Sequence, residues 1–187
     1  MKKPVTRVRT CDVAFQFRMG AGFPGDVNRT HPAAIEPVMV DVETPPTIFG
    51  QIVVVDTTSN AVRPLAASDQ SNSVVLTPHG TLVRSYPSQA STGGAFGAAS
   101  LGSATPPATG VADVLRAGYI MVQLNVGVTA PTKGGAVYVW CAATSGNHIQ
   151  GGYETEYSAG NTTLLDPRYT YNGPPDSNGV TELSCNV

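Results

Sequence analysis

Glu154 and Glu156 stand two residues apart in a stretch, 149–157, whose residue types suit a strand. Alternate side chains of a strand share a face, so the pair would set two carboxylates side by side, as glycoside hydrolysis requires of its acid and base. An exposed acidic edge that discourages stray strand pairing has the same signature, and that is the expectation here. His31, His79 and His148 are the candidate general bases. Each lies beside Pro, Gly or Asn in turn-forming sequence, and no Gly-x-Ser-x-Gly elbow presents a strained serine to them. Gly20-Ala21-Gly22-Phe23-Pro24-Gly25 spells the Gly-x-Gly-x-x-Gly of dinucleotide-binding turns. That chemistry needs a following helix whose first amides meet the pyrophosphate. Residues 26–32 have no apolar periodicity and are bounded by Pro24 and Pro32, so the motif reads as a turn. Cys11, Cys141 and Cys185 form no Cys-x-x-Cys pair and have no histidine at zinc-site spacing, which marks them as buried, reduced thiols. No acidic loop has the spacing of a calcium site. The expectation is therefore a protein without catalytic, cofactor-binding or metal-binding residues, and not an enzyme.

The elements that would position these residues are mostly strands. Residues 38–42 and 48–55 are apolar runs rich in β-branched side chains, separated by Pro45-Pro46. Shorter strands are predicted at 61–65, 74–77 and 81–86, and later ones at 149–157, 168–171 and 180–187. The clearest pair is 119–126 with 136–142, joined across Pro131 and Lys133-Gly134-Gly135. In the first of these, Ile120, Val122, Leu124 and Val126 share one face and Gln123 and Asn125 the other. One short helix is predicted at 111–117, capped by Thr109 or Gly110 and stopped by Gly118. The fold class that follows is all-β: an antiparallel sandwich, jelly-roll-like arrangement or distorted barrel, with an extended N-terminal arm and one short helix. The domain reading is an arm over 1–37 and a β domain over 38–187.

Tyr138 and Trp140 share a strand face, and Tyr153 and Tyr157 lie near a second strand. Such aromatics serve a core, an interface or a sugar platform. Within 88–110, 20 of 23 residues are Gly, Ala, Ser, Thr or Pro, with Phe96 and Leu101 the apolar exceptions of any size. That composition builds no core and suits ordering on contact with a partner.

Only 13% of the residues are charged, against about 25% in an average globular chain, which suggests a surface covered by partner protein. The net charge of −2 gives no sign of a nucleic-acid partner, but its distribution is uneven. The first 30 residues carry six basic residues, Lys2, Lys3, Arg7, Arg9, Arg18 and Arg29, against Asp12 and Asp26, a net of +4. The remaining chain carries five basic and 11 acidic residues, a net of −6. A basic arm beside an acidic body can dock on a like subunit or an acidic shell. Arg7, Arg9, Asp12 and Arg18 exclude an apolar signal region of about 7–15 residues, and no run approaches the ~18 apolar residues of a membrane helix. Export and membrane partners are not expected.

A collinear set of segments carries a resemblance. Phe23-Pro24-Gly25-Asp26-Val27-Asn28-Arg29, Ile35-Glu36-Pro37, Val111-Ala112-Asp113-Val114-Leu115-Arg116-Ala117-Gly118-Tyr119-Ile120, Lys133-Gly134-Gly135-Ala136-Val137-Tyr138-Val139 and Asp176-Ser177-Asn178-Gly179-Val180-Thr181-Glu182-Leu183 with Asn186 run through nearly the whole chain. Together they resemble the bacteriophage structural cement, or capsid decoration, family. The resemblance implies an all-β body with an extended N-terminal region, no catalysis, and a place on the outer surface of a phage head, in a protein made in the host cytoplasm. The implied partners are the major capsid protein and a second copy as a homodimer, with a trimer ranked below it. The residues expected at capsid or subunit interfaces are Lys2, Lys3, Arg7, Arg9, Arg18, Phe23 and Arg29 of the arm, Phe96 and Leu101 of the small-residue loop, and Trp140 and Tyr153 on strand faces. The rival reading is a carbohydrate-binding or tail-fibre-type β module.

Overall fold

The computed structural model describes residues 22–29, 32–70, 76–84 and 105–187. Ten strands follow in chain order: β1 (Ala34–Met39), β2 (Ile52–Val55), β3 (Val62–Pro64), β4 (Gly80–Leu82), β5 (Val111–Gln123), β6 (Tyr138–Trp140), β7 (Tyr153–Glu154), β8 (Thr162–Leu164), β9 (Tyr169–Tyr171) and β10 (Val180–Cys185). A single turn of 3-10 helix at Ala67–Asp69 is the helical element among the described residues. The chain is all-β, as expected. Its larger sheet has the order β3-β2-β4-β5-β10-β9, with β1 also paired to β5, and a three-stranded sheet has the order β7-β6-β8. Every paired strand runs antiparallel to its neighbours.

Strand β5 is the spine, and it corrects the predicted helix at 111–117. Those residues pair with β1 from Ala112↔Val38 to Ala117↔Ala34, and Val114 and Leu115 pair with Leu82 and Thr81 of β4. Seven residues are too few to form a stable helix alone, and two strand neighbours satisfy the backbone more completely. Gly118, expected as a helix stop, is instead the point where β5 changes partner from β1 to β10. Its φ of +138° and the approach of the Pro32 carbonyl, 2.7 Å from where a side-chain carbon would stand, favour glycine there.

The predicted pairing of 119–126 with 136–142 does not occur: β5 belongs to the larger sheet and β6 to the smaller. The two sheets instead face each other. Ile120, Val122, Leu183, Cys185, Tyr169 and Tyr171 of the first meet Val139 and Tyr153 of the second, with Cys141 and Leu165 just beyond β6 and β8, in one core. A second core of Val40, Phe49, Val53, Val62, Leu82, Ala112 and Val114 lies on the other side of β2, β4 and the start of β5. The period of two explains this division. Ile52, Val83 and Leu115 enter the first core while their neighbours Val53, Leu82 and Val114 enter the second, so these strands are buried on both faces. Strand β8 was not predicted, because Thr162 and Thr163 are polar; both are buried against β6. Of the predicted strand at 74–77, residues 74 and 75 lie outside the described residues and Leu76 bridges to Leu165.

Candidate interaction surface

The root of the N-terminal arm is built by a turn. Phe23-Pro24-Gly25-Asp26 closes with the Asp26 amide donating to the Phe23 carbonyl at 3.0 Å, and Gly25 adopts a φ of +88°. Proline second and glycine third are the residues a type II turn demands. The Pro24-Gly25 part of the glycine motif is therefore a turn, while Gly20 and Ala21 lie outside the described residues. Gly25 donates to the Met121 carbonyl at 2.7 Å and accepts from the Arg84 amide at 2.8 Å, and Met121 donates to the Asp26 carbonyl at 2.9 Å. A side-chain carbon at Gly25 would stand 2.8 Å from Phe49 Cβ and 2.9 Å from the Arg84 nitrogen, so the turn lies flat on the sheet. Further along, Arg29 donates to Glu182 of β10 from Nε and Nη2 and lies 4.0 Å above the Tyr119 ring. Asn28 and Asn172 donate to the same carboxylate.

Outward from this root, Phe23 is 65% exposed, with the Arg84 guanidinium 5.2 Å above its ring. Strand β1 presents Ile35, Pro37 and Met39 on one face, all exposed, and Met39 stands in register with Val111. Met39 and Val111 are 55% and 59% exposed, an apolar pair on the outer part of the sheet. Among the described strands β5 is the only neighbour of β1, and Pro37, which has no amide hydrogen, sits where edge strands tolerate it. The opposite face of β1 turns Glu36 toward His79, 2.5 Å from Nε2, and toward Arg116 at 3.3 Å. Burial, and then the Arg116 charge, hold His79 below the usual imidazole pKa against the pull of Glu36.

The expected exposed acidic edge at 154 and 156 does not form. Glu154 is 7% exposed and accepts from Asn125 Nδ2 at 2.6 Å and His148 Nδ1 at 2.7 Å, both on Oε1. His148 stacks on Trp140 with ring centroids 4.2 Å apart. Glu156 remains exposed and accepts from Thr129 at 2.7 Å. Both carboxylates line one recess, but Glu154 is buried with its Oε1 taken by two donors, so the pair does not stand free on one open face as glycoside chemistry needs. Cys141 and Cys185 are free and buried, and burial pushes both thiols up to about 12. Inert core thiols are what the sequence implied at these two positions.

Of the residues expected at interfaces, Lys2, Lys3, Arg7, Arg9, Arg18, Phe96 and Leu101 lie outside the described residues. Phe23 is exposed, and Arg29 is spent largely on Glu182 and Tyr119. Tyr153 is wholly buried in the core between the sheets, and Trp140 is 9% exposed, stacked on His148 and lining a recess, so the expectation that they join subunits gives way to burial within the chain. Sequence reasoning missed Met39 and Val111, whose exposure depends on a register between segments 72 positions apart along the chain, Met39 against Val111.

A family model described as XM1 gp53 minor capsid protein matches residues 13–185 of the chain. No curated protein matches it. Among solved structures, a chain in "The capsid of Myoviridae Phage XM1" is similar in fold, with a TM-score of 0.62 at 17% identity, over 91% of this chain and 93% of that one.

Proposed function

Because the chain belongs to the XM1 gp53 minor capsid protein family, we propose that it is a cement protein of a phage head, bound to the outer surface and bridging neighbouring major capsid proteins. The observation that carries this reading is the exposed apolar row of Ile35, Pro37 and Met39 beside Val111, on a weakly charged chain. Contiguous apolar surface of this kind marks a site that a partner covers. The rigid root at 22–29 supports an arm that carries Lys2, Lys3, Arg7, Arg9 and Arg18 to the shell, and Phe23 adds an aromatic contact beside it. Phe96 and Leu101 are the apolar contacts of the small-residue loop. Each bridge adds little alone, but many copies on one shell multiply the effect through avidity. The proposed self-contact is a homodimer. Images of intact heads at high resolution test the placement: density for this fold outside the shell, spanning two major capsid proteins, supports it, and density inside the shell contradicts it.

A carbohydrate-binding module is the second reading, favoured by Tyr157, 66% exposed at the rim of a recess of about 310 Å³ with Glu156 and Thr129. It is weakened by Trp140, whose ring is covered by His148. Glycan-array binding by the free protein would favour this second reading over the first.

A further inference from the structure

A cleft of about 810 Å³ lies between the loop after β1 and the β2–β3 turn. Its walls include three carboxylates, Asp41, Glu43 and Asp56, and the apolar side chains of Val42 and Pro45. Asp41 accepts the Glu43 and Thr44 amides at 2.8 and 3.1 Å and the Ser59 hydroxyl at 2.9 Å. Asp56 accepts the Thr58 and Ser59 amides at 2.8 and 3.1 Å. These bonds hold both carboxyls below the usual range, so both are ionised at neutral pH. The one basic side chain in the walls, Arg63, is committed to Asp56 and Asp69 at 3.2 and 2.6 Å. Asp41 and Glu43 therefore leave the cleft negative.

The cleft floor includes Gln51, which follows Gly50, and a side-chain carbon at Gly50 would stand 3.0 Å from the Gly25 nitrogen. The arm root thus packs on the residue next to a cleft-lining position. The 21 residues that precede Gly22 carry Lys2, Lys3, Arg7, Arg9 and Arg18 against Asp12, with Val5 and Val8 between the cations. Extended, the chain from Arg9 to Gly22 reaches up to about 40 Å. We propose that in the free subunit this cleft holds the chain's own N-terminal segment, its cations toward Asp41 and Glu43 and its valines toward Val42 and Pro45. The inference concerns the subunit before assembly and stands whether or not the bridging role does. If both hold, docking on the shell displaces the segment from the cleft.

The test uses the full-length protein, prepared as an equal mixture of ordinary and heavy-nitrogen chains and treated with a carbodiimide that joins lysine amines to carboxylates. Peptide mass spectrometry should find Lys2 or Lys3 joined to Glu43 within chains of one isotope. The yield should fall severalfold when Arg7 and Arg9 are both replaced by Gln, and again in about 0.5 M salt, where charges are screened beyond about 4 Å. Links between light and heavy chains would show a second copy in the cleft and overturn the inference. So would links to carboxylates elsewhere, or none at all.

Discussion

Arg29 takes the Glu182 carboxylate with two nitrogens, Nε to Oε1 at 3.0 Å and Nη2 to Oε2 at 2.5 Å, and so fastens the arm root to β10. The two residues are 153 positions apart, and the bond joins the start of the described chain to its last strand. Arg29 is solvent-exposed, so the pair acts by holding geometry more than by adding global stability. Arg29→Ala is expected to speed hydrogen exchange at the Gly25 and Met121 amides severalfold and to leave the core amides of β10 unchanged. Equal acceleration throughout would show that the bond supports the whole fold.

Leu115 and Val111 lie on the same strand and predict opposite outcomes. Leu115 is fully buried in the core between the sheets, and Leu115→Ala should lower the unfolding free energy by about 2–5 kcal/mol. Val111 is exposed, and Val111→Ser should change stability by no more than about 0.5 kcal/mol while weakening shell binding. Urea unfolding of both variants, with binding measured alongside, separates the packed face from the contact face.

His79 predicts a pH dependence with a definite sign. Its folded pKa lies below the usual value of 6.5, with Glu36 and Arg116 as the charged groups that face it. The folded state therefore binds fewer protons than the unfolded chain as pH falls through about 6.5, and stability is lost on the acid side of that value. His79→Gln should reduce the fall in urea midpoint between pH 8 and about 5.5, a window above the depressed pKa values of Asp41, Asp56 and Asp166. An unchanged slope in the variant would remove His79 from the account.

Alternation made much of the fold legible before any coordinates. Of the face that carries Ile120, Val122, Leu124 and Val126, the first three are buried while Val126, beyond the end of β5, is 66% exposed, and Pro24-Gly25 forms the turn its residues imply. What could not be read was long-range. Residues 111–117 carry a pattern short enough to suit either a helix or a strand, and only pairing with β1 and β4 decides between them. Glu154 is buried because Asn125 and His148 converge on it, and nothing near Glu154 in sequence announces Asn125 as a partner. Their places on strand faces leave Trp140 and Tyr153 open to either core or interface; packing between two sheets assigns Tyr153 to the core, and the stacked His148 covers Trp140. The link to capsid proteins came from the collinear segments, which no single residue's chemistry would have supplied.

Binding to an assembled shell is what the proposed role requires of this chain. The direct test is co-sedimentation of the purified protein with heads of its own phage prepared without it, over a range of salt concentrations. Saturable binding at a fixed ratio to the major capsid protein is expected, weakened by high salt because Lys2, Lys3, Arg7, Arg9 and Arg18 contribute to it. Absence of binding at any salt concentration would contradict the cement role.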